Sequence, residues 1–194
     1  FPIILGHVLL GAPAAWAFAK FHFRGKKILY TLYIVLMLMP FQVTMVSSYL
    51  VLNKLGLIDT VWAVILPGAA STLPVFIMTR FFMDIPEAVM EAAAVDGASS
   101  FQIFLRLGLP LAAQGILSAV VLGFLEYWNA IEAPQAFLKN QALWPLSLYM
   151  SNITADNAGV SLIASLITLM PPLLIFLSGQ KYLEQGIISS GMKD

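Results

Sequence analysis

Glu126, Tyr127, Trp128 and Asn129 stand side by side in a chain with few other polar groups. A carboxylate and an amide offer hydrogen bonds, and the two rings offer apolar faces with polar tips. Glu126, Tyr127 and Asn129 therefore suit the mixed surface of a sugar. The same residues also suit the headgroup level of a membrane, where Trp and Tyr gather. Ser71 and Thr72, close to Pro74, are the second candidate pair. Their hydroxyls can line a polar path or bond the carbonyls that a proline frees. Ser47 and Ser48, and Gln42 and Thr44 near Pro40, read as helix-packing groups. Other chemistries lack their residues. There is no cysteine, which excludes disulfides, thiol catalysis and cysteine metal sites. His7 and His22 make no ligand cluster with a nearby carboxylate. No G-x-x-x-x-G-K-[ST] pattern occurs, and Gly25-Lys26-Lys27 has the wrong context, so the chain is not a P-loop ATPase. No Ser-His-Asp set and no paired carboxylates share a helical face within an apolar run. The net charge of zero argues against a nucleic-acid partner.

The elements that must hold these residues are apolar. Of 194 residues, 60% are hydrophobic and 10% are charged, and the mean hydropathy is +0.88. An ordinary soluble domain carries roughly a quarter charged residues. Ten basic and ten acidic side chains cannot cover its surface. The composition therefore predicts an all-α polytopic membrane bundle in a lipid bilayer. Five uncharged stretches are long enough to cross: 1–19, 28–53, 60–79, 107–125 and 157–180. Strict period-two alternation is absent, against a barrel. Basic residues set the expected orientation. Lys20, Arg24, Lys26, Lys27, Arg80, Arg106, Lys181 and Lys193 fall in alternate segments, and only Lys54 and Lys139 fall in the others. Eight against two puts Phe1 at the outer face and the C-terminal tail in the cytoplasm. Residues 126–156 form the long outer connection, with 140–155 along the interface.

The cytoplasmic connection 80–110 reads RFFMDIPEAVMEAAAVDGASSFQIFLRLGLP. Pro86 suits a first helical turn. Glu87 and Glu91 favour its early part, and Ala88, Ala92, Ala93 and Ala94 propagate it. Gly97 can take a positive φ and stop it after Asp96. Ser99 or Ser100 can cap a second helix running toward Pro110. A loop resting on lipid would show basic residues, and 81–105 contains none. The alanine surface instead lets another protein approach closely.

Glu91-Ala92-Ala93, two residues, Asp96-Gly97-Ala98, and then Leu109-Pro110 resemble the EAA motif of ABC-importer permeases. Pro40-Phe41-Gln42-Val43-Thr44, Gly56-Leu57-Ile58-Asp59-Thr60, Trp128-Asn129, Gln180-Lys181-Tyr182, Gln185-Gly186 and Ser190-Gly191-Met192-Lys193 resemble carbohydrate-type permeases, the tail most of all the maltose-type second subunit. Gln114 departs from the family, which often has proline there. The resemblance implies one transmembrane domain over 1–194, with five of six spans and the first lying ahead of Phe1. It implies that Glu91, Ala92, Ala93, Asp96, Gly97 and Ala98 form a coupling helix docked in a cleft of a cytoplasmic ATPase, with Gly191 and Lys193 also touching it. The partners so implied are a related second permease, two ATPase subunits holding ATP-Mg, and an extracytoplasmic solute-binding protein. The chain itself would hold no cofactor or metal and would catalyse no reaction. It would import a sugar or oligosaccharide by alternating access in a bacterial or archaeal inner membrane. In the outer loop 130–156, the tip from Phe137 to Trp144, with Lys139 and Asn140, can reach the binding protein or lie passive. The alternatives are the same fold importing a polyamine, glycerol phosphate or other small polar solute, or a non-transporting scaffold or channel subunit. A channel has no use for the 80–110 loop.

Overall fold

A computed structural model describes residues 1–151 and 158–191. Among these residues every element is helical. Helix α1 is Pro2–Lys20, and a bent pair follows, α2 (Lys26–Leu38) and α3 (Phe41–Lys54). Then come α4 (Trp62–Met83) and the short α5 (Glu87–Val95). A second bent pair is α6 (Ser100–Leu111) and α7 (Ala113–Trp128). The short α8 (Glu132–Phe137) and α9 (Leu146–Ser151) lead to α10 (Ala158–Gly191).

Three helices are long and apolar enough to cross a membrane: α1, α4 and Leu162–Leu183 within α10. Each bent pair taken as one span raises the number to five, matching the five stretches. The bends modify the expected geometry. The 28–53 stretch is no straight span, because α2 and α3 meet at 107°. Met39 and Pro40 are both extended there, as expected where proline crowds the residue before it out of the α region. Thirteen and fourteen residues make helices of only ~20 Å, short of the ~30 Å core. The 107–125 stretch straddles a 70° bend at Ala112. Helix α4 is also interrupted. Its parts, Trp62–Ala69 and Thr72–Met83, meet at an extended Ser71. Pro74 has no N–H for the carbonyl four residues earlier, which weakens the helix at this point.

The core lies where α1 crosses α4 and α7. Apolar burial gives little drive inside lipid, so close packing must supply the contact energy. Gly6 provides it at one crossing: a Cβ there would lie 2.5 Å from that of Ala69. Farther along α1, Trp16 meets Phe82 edge-on at 5.2 Å and Phe104 at 5.6 Å, all three buried. A smaller cluster of Leu52, Ala63 and Phe137 closes the other end of α4. The apolar window of α10 is only 6% buried, so lipid or another subunit must cover it.

The connections gather at two ends of the bundle. Lys20 reaches Ile85 beside α5. At the opposite end, the backbone N–H groups of Lys139 and Asn140 both donate to the Asp59 carboxylate at 2.8 Å.

Candidate functional site

Helix α5 and the turn after it are set by local chemistry. Pro86 holds the N-cap position, one residue ahead of its expected place in the first turn. Glu87 opens the helix, where the N-terminal dipole favours a carboxylate. The helix stops at Asp96. Gly97 then takes φ +85°, its N–H donates to the Ala94 carbonyl, and the Ala98 N–H donates to Ala93. These two bonds define a Schellman turn, which needs a left-handed residue after the cap. Ser99 begins α6 with a capping box: its hydroxyl accepts from the Gln102 N–H, and its own N–H donates to the Gln102 side chain. The junction between α5 and α6 is therefore set by the chain's own hydrogen bonds.

One side of α5 is seated and the other is open. Met90, Ala93 and Ala98 pack on the main core. Ala88, Glu91, Ala92 and Val95 are exposed, and Val95 is 87% exposed. Their spacing of i, i+3, i+4 and i+7 puts them on one face. Of the six expected coupling residues, Glu91, Ala92, Asp96 and Gly97 are exposed, while Ala93 and Ala98 are half-buried. The two half-buried alanines fix the turn, and the exposed residues are free to meet a partner. Gly191 ends α10, and Lys193 lies outside the described residues.

A cavity of about 650 Å³ opens at the other end of α4. It lies between the α2–α3 bend, the α4 break, the end of α7 and α8. Ser71, Thr72, Glu126 and Tyr127 all line it, so four of the five expected path residues meet there. Asn129 does not. It caps the end of α7, and its side-chain amide donates to the Leu125 carbonyl at 2.8 Å. Trp128 also turns away. It stacks on Phe124 at 5.3 Å and its indole N–H donates to Thr168 on α10.

Tyr127 is held by groups distant in sequence. Its hydroxyl faces the Ser71 side chain, and its ring lies over Gly68, where a Cβ would come within 2.9 Å. Behind it is His7, fully buried, with ring centroids 5.5 Å apart. The His7 Nε2–H donates to the Gly68 carbonyl at 2.9 Å, which assigns the proton to that nitrogen. His7 thus ties α1 to α4 just before the break that carries Ser71. Neither composition nor spacing assigns His7 this role. The available signal was that an ionisable residue inside an apolar stretch marks a functional position by default.

The tip of the 130–156 loop is partly folded in. Phe137 and Leu138 are buried, and the Trp144 indole donates to the Leu138 carbonyl. Lys139 to Ala142 remain exposed. Asp59 organises this tip through its carboxylate and through its N–H, which donates to Phe137.

Residues 7–189 match the model of the binding-protein-dependent transport system inner membrane component family. The chain belongs to that family. As such a component it resembles the arabinooligosaccharides transport system permease protein AraQ of Halalkalibacterium halodurans, at 26% identity over 194 residues, covering 98% of this chain and 70% of AraQ. It is 34% identical over 193 residues to the probable ABC transporter permease protein PH1036 of Pyrococcus horikoshii, covering 96% and 70%. The chain thus spans about 70% of the length of both relatives. Its fold matches a chain of a bacterial ABC transporter involved in the import of the acidic polysaccharide alginate, with a TM-score of 0.79 at 22% identity, covering 93% of this chain and 70% of that one. The inner membrane component is therefore a permease subunit of an ABC importer, of the kind that works with a binding protein.

Proposed function

We propose that this permease moves a sugar or oligosaccharide inward by alternating access, driven through α5 by a partner ATPase. The observation that carries the reading is α5 itself. It is a nine-residue helix with a seated face, an open face and a hydrogen-bonded turn that joins it to α6. An ATPase subunit offering a cleft would take Ala88, Glu91, Ala92 and Val95. Nucleotide-driven motion of that cleft then biases a two-state packing of the spans. ATP and Mg belong to that subunit. A related second permease completes the path and covers apolar surface, and a solute-binding protein delivers the ligand. The end bearing α5 is cytoplasmic in this reading, as is the C-terminal tail, which supplies Gly191 and Lys193 as a further contact.

The cavity supports a neutral, hydroxylated solute. Glu126 places a carboxylate there and, among the described residues, no Lys or Arg lines the wall, so a phosphate ester would meet repulsion. Tyr127, Ser71 and Thr72 supply a ring and hydroxyls. AraQ's own transport of arabinooligosaccharides points the same way.

The test is uptake by the reconstituted complex. Labelled arabinotriose or maltotriose should accumulate only with ATP inside and binding protein outside, and sn-glycerol 3-phosphate should not. Preferred uptake of the phosphate ester would overturn the substrate class. Orientation is checked separately, since the chain has no cysteine. A thiol at Lys139→Cys should react only from outside, and one at Lys26→Cys only from inside. The reverse pattern would invert the topology.

A further inference from the structure

We infer that Lys20 is a positioning residue that latches the root of α5 to α1, so that the two move as one body. The inference rests on the docking role proposed for α5.

Lys20 ends α1, and its ammonium donates to the Ile85 carbonyl at 2.5 Å, across 65 residues of sequence. Ile85 is buried in the link between α4 and α5. The carboxylates of Glu87 and Asp84 lie close enough to act on the Lys20 charge. A long side chain of this kind can bury its stem and spend its head on a free backbone carbonyl. One turn earlier, on the same face, Trp16 packs against Phe82 of α4 and Phe104 of α6. Gly108 of α6 lies beneath its ring, where a Cβ would come within 2.8 Å. A single stripe of α1 therefore holds the end of α4, the link into α5 and the start of α6.

The latch matters because α5 is not packed tightly on α1. A cleft of about 220 Å³ lies between Trp16 and Lys20 on one side and Met90, Glu91 and Ala94 on the other. Without the Lys20 bond, α5 could swing into or away from that cleft. Displacement by a partner would then be absorbed at the loop and would not reach the spans.

The experiment uses the full complex with its second permease and ATPase subunits. Spin labels are placed at Phe21→Cys and Val89→Cys, both exposed positions outside the proposed docking face. Interspin distances are measured without nucleotide and after trapping with ATP and vanadate. One narrow distance, the same in both states, is expected with Lys20 present. Lys20→Met should broaden or shift it by roughly a helical turn, ~5 Å, with basal ATP hydrolysis, measured without binding protein, within about twofold of the parent. Lys20→Arg should restore the narrow distance, which a role in packing alone would not require. Lys20→Gln, a shorter neutral donor, is the second variant should methionine block assembly, and it too should broaden the distance. A narrow, unchanged distance in the methionine or glutamine variant, or no rescue by arginine, would overturn the latch. Failure of Val95→Cys to cross-link to the ATPase in the parent would instead overturn the docking role.

Discussion

Replacing Gly97 by valine is expected to cut ATP-driven uptake by tenfold or more while the spans stay folded. Gly97 sits at φ +85°, a region that a β-branched residue occupies only as an outlier. The cost there is about 1–3 kcal/mol. Relieving it would disrupt the bonds from Gly97 to Ala94 and from Ala98 to Ala93, and with them the angle between α5 and α6. Each 1.4 kcal/mol is tenfold in the population of the docked geometry. No atom lies within 4 Å of where the new Cβ would go, so the damage is confined to the turn. Gly97→Ala, with a smaller penalty, should fall between the parent and valine. Uptake and ATP hydrolysis stimulated by the loaded binding protein should fall together, with basal hydrolysis retained. Parental stimulation in Gly97→Val would remove the turn from the coupling path.

Glu126→Gln and Tyr127→Ala should each raise the half-saturating sugar concentration by roughly tenfold. One hydrogen bond to a charged group contributes about 1.5–3 kcal/mol, and a neutral one about 0.5–1.5 kcal/mol. Tyr127→Ala removes a cavity wall and the ring that packs over Gly68. Asn129→Ala is the contrast. Its side chain is committed to Leu125 outside the cavity, so uptake should change less than twofold. A concentration series of labelled arabinotriose on reconstituted variants checks all three. If Asn129→Ala weakened uptake as much as Tyr127→Ala, the path would not follow this cavity.

The parts legible in the sequence are those encoded over a few residues. Pro86, Asp96, Gly97 and Ser99 act through their own backbone or a neighbour's, so α5 and its turns could be read to within a residue. The apolar stretches were legible because hydrocarbon thickness sets their length. The bends were less so. Pro40 announces a break without fixing its angle, and the 107° between α2 and α3 depends on what those helices pack against. Asn129 parts from Glu126 and Tyr127 because adjacency near a helix end does not say which side chain will cap that end. His7 was missed because its partners, Gly68 and Tyr127, lie 61 and 120 residues away. Asp59 was legible as part of a turn but not as the anchor of Lys139 and Asn140, about 80 residues on. Such pairings arise only once the helices are assembled.

The most direct test of the central claim is proximity of α5 to the ATPase. Ala92→Cys on the open face of α5 creates a single thiol in a chain that has none. In membranes containing the full complex, a short bifunctional reagent should join that thiol to the ATPase subunit. The yield should differ between nucleotide-free and ATP–vanadate-trapped states, and Lys139→Cys should give no such product. A product at Lys139→Cys with none at Ala92→Cys in either state would contradict the account.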